Sequence, residues 1–263
     1  MHLERERQLL ETADVVFTGG RSLYNAKKDR HPNVHCFPSS VDAQHFRQGP
    51  ADHPAQQALP HPRLGYCGVI DERIDLQLIA GIAQRRPDWQ IVMVGPVVKI
   101  DPASCPRLPN IHWLGQQGYE DLPAFINGWD ACLLPFALNE STRFISPTKT
   151  LEYMACGKPS VSTAIRDVVE PYGHVVPIRA DAEGFVLACE EILARSAQEQ
   201  HEHRFALSAI LARTSWDATA AAMGELIAQA EAAREAQELP AVADIATELA
   251  RATAKFPAAA SAH

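Results

Sequence analysis

No apolar run in this sequence approaches the length needed to span a bilayer, and its polar start, MHLERERQLLE, has the form of neither a signal peptide nor a transit peptide. A cytoplasmic protein is the expectation. Nowhere do lysine and arginine gather densely, and the net charge is -8 with a pI near 5.8. Those two facts exclude a nucleic-acid binder held by a broad basic surface, so any anion site must be local. Cys36, Cys67, Cys105, Cys132, Cys156 and Cys189 are scattered, with no CxxC and no Cys/His cluster at metal-ligand spacing. Buried, reduced thiols are expected, and no metal. His201 and His203, in the segment HEH, read as a solvated helix face rather than a metal pair. Internal repeats beyond a strand-helix alternation are also absent.

What is present suffices for a core. The chain has 263 residues with 46% apolar side chains, enough for one large domain or two smaller ones. Residues 1–46 read as helix (3–12), strand (14–18), helix (21–29) and strand (34–37), a fragment of an α/β unit ending in the turn-rich SSVDAQHF. The Pro, His and Gln-rich stretch 47–62 has no periodicity and reads as a linker. From residue 63 short apolar strands alternate with amphipathic helices: strands at 64–70, 89–95, 110–115 and 130–136, then PSVST and 174–178. Residues 181–236 look helical, broken near Thr214, and 237–263 read as an Ala-rich helix and frayed tail. The pattern predicts an α/β fold with a doubly wound, Rossmann-like parallel sheet, a partial second α/β unit at the amino terminus and helices at the carboxyl terminus.

The segment 144–163, FISPTKTLEYMACGKPSVST, joins a helix start, a charged pair, a helix stop and a strand. Ser146 suits an N-cap and Pro147 the first helical position; Gly157 and Pro159 suit the stop. Lys149 and Glu152 then share one helix face near amides that favour anions. The pair has two readings: a surface i,i+3 ion pair, or a site for phosphates and sugar hydroxyls. Ligands of doubly wound sheets bind at the carboxyl ends of the strands. Those ends bring Gly68 and Arg73, Gly95, Gly115, and the loop carrying Glu140 and Arg143 toward Ser146, Pro147, Thr148, Lys149 and Glu152. Arg73 and Lys149 can clamp a diphosphate with amides at Thr148 and Lys149, and Glu152 can accept two ribose hydroxyls.

The run SPTKTLEYMACGKPSVST resembles the donor-site segment of GT-B glycosyltransferases of the family 4, or group 1, type, where P-x-K-x-x-E-Y-M-A precedes a Gly-x-Pro-Val strand. GYCGVIDERIDL, IVMVGP and NIHWLGQQGYEDLPAFINGWDACLLPF are similar, in order and spacing, to that family's glycine loop, next strand end and base-binding loop. ADVVFTGGRSLYNAKKDRHPNVHCFPSSVDAQHF resembles the end of its acceptor domain. The resemblance covers most of residues 13–178 and implies domains at 1–46 (remnant of the acceptor domain), 63–236 (nucleotide-sugar-binding domain) and a 47–62 linker.

By resemblance, Glu152 matches the carboxylate on the ribose hydroxyls, Lys149 and Arg73 the cations on the diphosphate, and His112 to Gln116 the loop whose backbone reads the base. Two positions depart. Phe144 stands where the family's first glutamate lies, and Val69 where an arginine is common; Glu140 or Arg143 are the candidates to compensate.

The implied function is transfer of a glycosyl group from a nucleoside diphosphate sugar to a hydroxyl acceptor, a glycan or lipid-linked sugar, with retention of configuration and no cofactor or metal. Such a role fits polysaccharide biosynthesis, in the cytoplasm or peripherally at the inner membrane face. The family's acceptor domain is represented only by its last segment, which leaves a truncated product or a partner chain that supplies the missing half. No catalytic base is nominated. The alternatives are a nucleotide-sugar binding module without turnover and a GT-B nucleotide-sugar epimerase.

Overall fold

The computed structural model describes residues 2–238, so most of the 237–263 tail lies outside the described residues. Helix α1 (His2–Thr12), strand β1 (Val16–Thr18), helix α2 (Arg21–Lys27) and strand β2 (Val34–Cys36) form an amino-terminal unit with a two-stranded parallel sheet. After helix α3 (Ala43–Arg47) come strands β3 (Arg63–Cys67), β4 (Gln90–Val94), β5 (Ile111–Gly115), β6 (Ala131–Leu134) and β7 (Ser160–Ser162), all parallel, in the order β5-β4-β3-β6-β7. Helices α4 (Leu76–Arg85), α5 (Leu122–Asn127) and α6 (Thr148–Ala155) lie in the crossovers, and α7 (Arg166–Tyr172) follows β7. Helices α8 (Ala182–Leu193), α9 (Ala197–Leu211) and α10 (Trp216–Glu238) follow. The predicted α/β, Rossmann-like class is what is observed.

The central strands are covered on both faces, which is why β3 and β6 read as near-continuous apolar runs and are buried along their whole length. Chain order runs outward from β3 through β4 to β5, then returns to β6 on the other side. That reversal opens a crevice at the carboxyl ends of β3 and β6, the place where a doubly wound sheet takes its ligand.

Several boundaries differ from expectation for local reasons. Strand β3 stops at Cys67 because Gly68 turns with φ of +149°. No strand forms at 174–178; a single bridge, Ser162 to Ile178, remains there, because Pro177 has no amide to give a ladder. The helical stretch 181–236 breaks twice, the unforeseen break being at Ser196, where Ser196 and Glu199 form a capping box.

Residues 48–62 contain neither helix nor strand, and most are exposed, yet the stretch is pinned to the domain through Gln56 and Asp52. Gln56 is fully buried: its Nε2 donates to Phe125 O (2.9 Å) and Asp52 Oδ1 (2.8 Å), and its Oε1 accepts from Trp129 Nε1 (2.9 Å). Asp52 also binds Arg63 Nη1 at 2.8 Å, which satisfies a guanidinium buried at the start of the central strand. The stretch is a fixed strap over the amino end of the sheet.

A carboxylate of α7 ties the amino-terminal unit to the larger sheet. Gly20, the N-cap of α2, has no side chain to accept from the helix amides. Asp167, 4% exposed in α7, takes that role across the chain, its Oδ1 accepting from Ser22 N at 2.8 Å. Among the described residues no helix is long and apolar enough to cross a membrane.

Candidate functional site

The crevice at the carboxyl ends of β3 and β6 is a cleft of about 340 Å³. Its walls include Gly68, Val69 and Arg73 after β3, Phe136 after β6, and Ser146, Pro147, Thr148 and Lys149 at the start of α6. Six of the sequence candidates therefore meet: Gly68, Arg73, Ser146, Pro147, Thr148 and Lys149.

Helix α6 opens one residue later than the sequence suggested. Ser146 precedes a proline, which holds it out of the helical region, and Pro147 itself is the N-cap, extended at ψ 111°. A proline has no side-chain acceptor, and nothing else caps this end. The first-turn amides at Thr148 and Lys149 are thus left for a ligand, with the positive end of the helix dipole behind them.

Lys149 and Glu152 are paired, Nζ lying 3.0 Å from Oε1 and 2.8 Å from Oε2. The pair is not a surface one: Glu152 is 7% exposed. Burial works against the charge on Lys149, but the charge and hydrogen bonds of Glu152 work the other way, and its pKa is raised, so the ammonium persists. Two charges withheld from water in this way are unfavourable unless well paired. A ligand bearing hydroxyls for the carboxylate and phosphate for the ammonium satisfies both.

Arg73 has a partner that the sequence reading missed. Its Nε and Nη2 bind Asp71, which is 1% exposed, at 2.7–3.1 Å, and its amide caps the same carboxylate at 3.0 Å. Burial pushes the Asp71 carboxyl up, but the hydrogen bonds and charge of Arg73 bring it below its ordinary value. Nη1 has no hydrogen bond among the described residues and remains to meet an oxyanion. The signal was an acid and a base two residues apart in IDER.

The three glycines sit on adjacent rungs. Gly95 N donates to Gly115 O at 2.7 Å, and Gly68 N to Val94 O at 2.8 Å. Gly95, with φ of +141°, passes so close to Gly68 that a Cβ would lie 1.9 Å from its carbonyl oxygen. Gly95 and Gly115 therefore shape the loop behind the cleft rather than line it.

Other candidates are not brought in. His112 is the second residue of β5, its Nε2 bonded to Gln90 Oε1 at 2.7 Å, toward the amino end of the sheet. Burial lowers its pKa. Glu140 and Arg143 face each other at 3.5 Å in an adjoining exposed groove with Ala164, Ile165 and Arg166. Phe144 lies 41% exposed under the Arg143 guanidinium, and Val69 lines the cleft where a cation is absent.

Tyr66 and Tyr153 were also overlooked. Tyr66 donates to Val69 O at 3.1 Å in the cleft wall, and burial raises its pKa. Tyr153 Oη accepts from Cys67 N at 3.0 Å, fastening α6 to the end of β3. All six cysteines are free, and burial pushes Cys67 up to about 12, so these are inert thiols. Among the described residues no group of three His, Cys, Asp or Glu could hold a metal.

Comparison with known proteins agrees with this geometry. The family described as glycosyl transferases group 1 matches residues 61–195, which hold the whole cleft. A Bacillus subtilis protein described as a teichuronic acid biosynthesis glycosyltransferase, TuaH, is 27% identical over 210 residues, 75% of this chain and 53% of its own. The chain thus spans about half the length of that relative. Among solved structures, sucrose-phosphate synthase from Thermosynechococcus elongatus aligns with a TM-score of 0.68 at 23% identity, over 88% of this chain and 62% of that one. HepE of Anabaena in complex with UDP-glucose aligns at 0.71 and 14% identity, over 84% and 65%. Both likenesses are of fold. With the family match covering half of its length, the chain belongs to the glycosyl transferases group 1 family.

Proposed function

We propose that this chain binds the nucleoside diphosphate part of a sugar donor in the α6 cleft and takes part in transferring the glycosyl group to a hydroxyl acceptor, a glycan or lipid-linked sugar, with retention of configuration. The observation that carries this reading is the buried Lys149–Glu152 pair beside an uncapped helix end. In the proposal Glu152 accepts two ribose hydroxyls, while Lys149, the free edge of Arg73 and the Thr148 and Lys149 amides take the diphosphate. Negative charge grows on the departing diphosphate, so donors fixed in advance lower the barrier to its departure. These side chains and amides supply that neutralisation, and the reading calls for no resident cofactor. It has a family relative in support, and the HepE structure holds UDP-glucose.

The acceptor is proposed to approach from the open side of the cleft, past the β1–α2 loop. A further surface, on this polypeptide or a partner, is proposed to complete that side.

A second reading is a donor-binding module without turnover, favoured by the chain's spanning 53% of its curated relative. Incubation with labelled donor sugars, scoring transfer, hydrolysis and retention of label, separates the two. Glu152→Ala is expected to weaken nucleoside diphosphate binding at least about tenfold, since each charge-assisted hydrogen bond contributes roughly 1.5–3 kcal/mol. Equal affinity of the two proteins by calorimetry, with circular dichroism unchanged, would refute the ribose assignment.

A further inference from the structure

The opposite end of the sheet holds a second cavity, of about 240 Å³, between the Gly157–Pro159 turn after α6 and the junction of α8 and α9. Its walls carry Lys158, Arg195, His203 and Arg204, with Gln200 beside them. In a chain of net charge -8 this is a concentrated positive site.

Two carboxylates lie nearby, and both are held by other groups rather than paired with the arginines. Asp130 also lines the cavity, but its Oδ2 already accepts from His61 Nδ1 and Arg63 N, each at 2.7 Å. Glu199 feels the Arg195 charge, yet its Oε2 is held by Ser196 in the capping box. Among the described residues neither Arg195 nor Arg204 has a side-chain hydrogen bond or an ion pair with a carboxylate within 4 Å. Lys158 donates to the carbonyls of Asn127 (2.7 Å) and Trp129 (2.8 Å), which fixes its position but leaves its charge.

His203 is the decisive group. The sequence suggested a solvated helix face for the HEH segment, and His201 is exposed as expected. His203 instead sits in the cavity wall, its Nε2 shut off from solvent and without a hydrogen-bond partner among the described residues. Burial lowers its pKa to about 4, and Arg195 and Arg204 add to the effect. An imidazole kept neutral beside two guanidiniums that lack carboxylate partners marks a positive potential that a bound oxyanion relieves.

We infer that this cavity is a second anion site, distinct from the α6 cleft, which binds the phosphate group of a small ligand through Arg195 and Arg204, with His203 in its wall. Arginine forks match phosphate oxygens, and the anion offsets the positive potential at the imidazole. The shared chemistry is a terminal phosphate, whether inorganic or carried on a small metabolite; inorganic phosphate and pyrophosphate are the probes.

Calorimetry on the full chain is expected to show millimolar or tighter binding of phosphate or pyrophosphate. The Arg195→Ala/Arg204→Ala double variant should lose at least about tenfold in that affinity. The Arg73→Ala/Lys149→Ala variant should retain it, because those residues hold the diphosphate at the other site. In parallel, the proton resonance of the His203 imidazole should titrate at higher pH with phosphate present, since an adjacent anion favours the charged ring. No binding at millimolar phosphate overturns the inference. So does equal affinity in the Arg195→Ala/Arg204→Ala variant, loss of binding in Arg73→Ala/Lys149→Ala, or a His203 titration unmoved by phosphate. Circular dichroism of both double variants guards against misfolding, and the His203 readout needs no substitution at all.

Discussion

Single residues at the cleft are held in conformations that few alternatives tolerate. Gly95 combines a left-handed φ with a carbonyl oxygen where its Cβ would be. Gly95→Ala is expected to destabilise the protein by about 2 kcal/mol or more, because backbone must move at the junction of β4 and the Gly68 loop. Urea unfolding measures this, and a loss below about 0.5 kcal/mol would show that the loop gives way easily. The glycines themselves were legible, because a glycine at a strand end announces a turn or a close approach. Their division of labour was not: only Gly68 lines the cleft, and Gly95 and Gly115 support it. Asp71 was invisible as a partner of Arg73, since a sequence does not show that a carboxylate two residues away is 1% exposed.

At the scale of elements, the alternation of strands and helices was legible because buried parallel strands read as apolar runs and their crossovers as amphipathic helices. Helix α6 was placed to within one residue, its start displaced by the restriction that Pro147 imposes on Ser146. The strap at residues 48–62 escaped because its order comes from contacts distant in sequence rather than from periodicity. Gln56 reaches Phe125 and Trp129, about seventy positions away. Replacing it tests that account. Gln56→Leu strips the buried Trp129 Nε1 and Phe125 carbonyl of their partners, and the expected loss is roughly 1–3 kcal/mol. Thermal unfolding checks it; a melting temperature equal to that of the parent would mean that the strap contributes only cover. The same reasoning explains His203. Helical spacing placed it on α9, but only the packing of α8 and the Gly157 turn decides that this side of the helix is enclosed.

For the molecule as a whole, the question is how the amino-terminal unit is held against the larger sheet. Asp167 does so by standing in for an absent N-cap on α2. Asp167→Ala leaves the buried Ser22 amide without an acceptor and should loosen that unit while the β3–β7 sheet stays folded. Hydrogen exchange is expected to rise at least about tenfold across residues 16–36 and to stay level across residues 63–94. A uniform rise over both segments would instead point to global destabilisation. The same contact has a mechanical meaning. At Gly20 the absent side chain is all that separates the amino-terminal loop from the rim of the α6 cleft: a Cβ there would lie 2.1 Å from Asp167 Oδ2 and 3.0 Å from Ser146 Cβ. Gly20 is therefore a shim one methyl group thin. Any larger side chain would wedge the two walls apart and widen the gap across which the proposed donor and acceptor would meet.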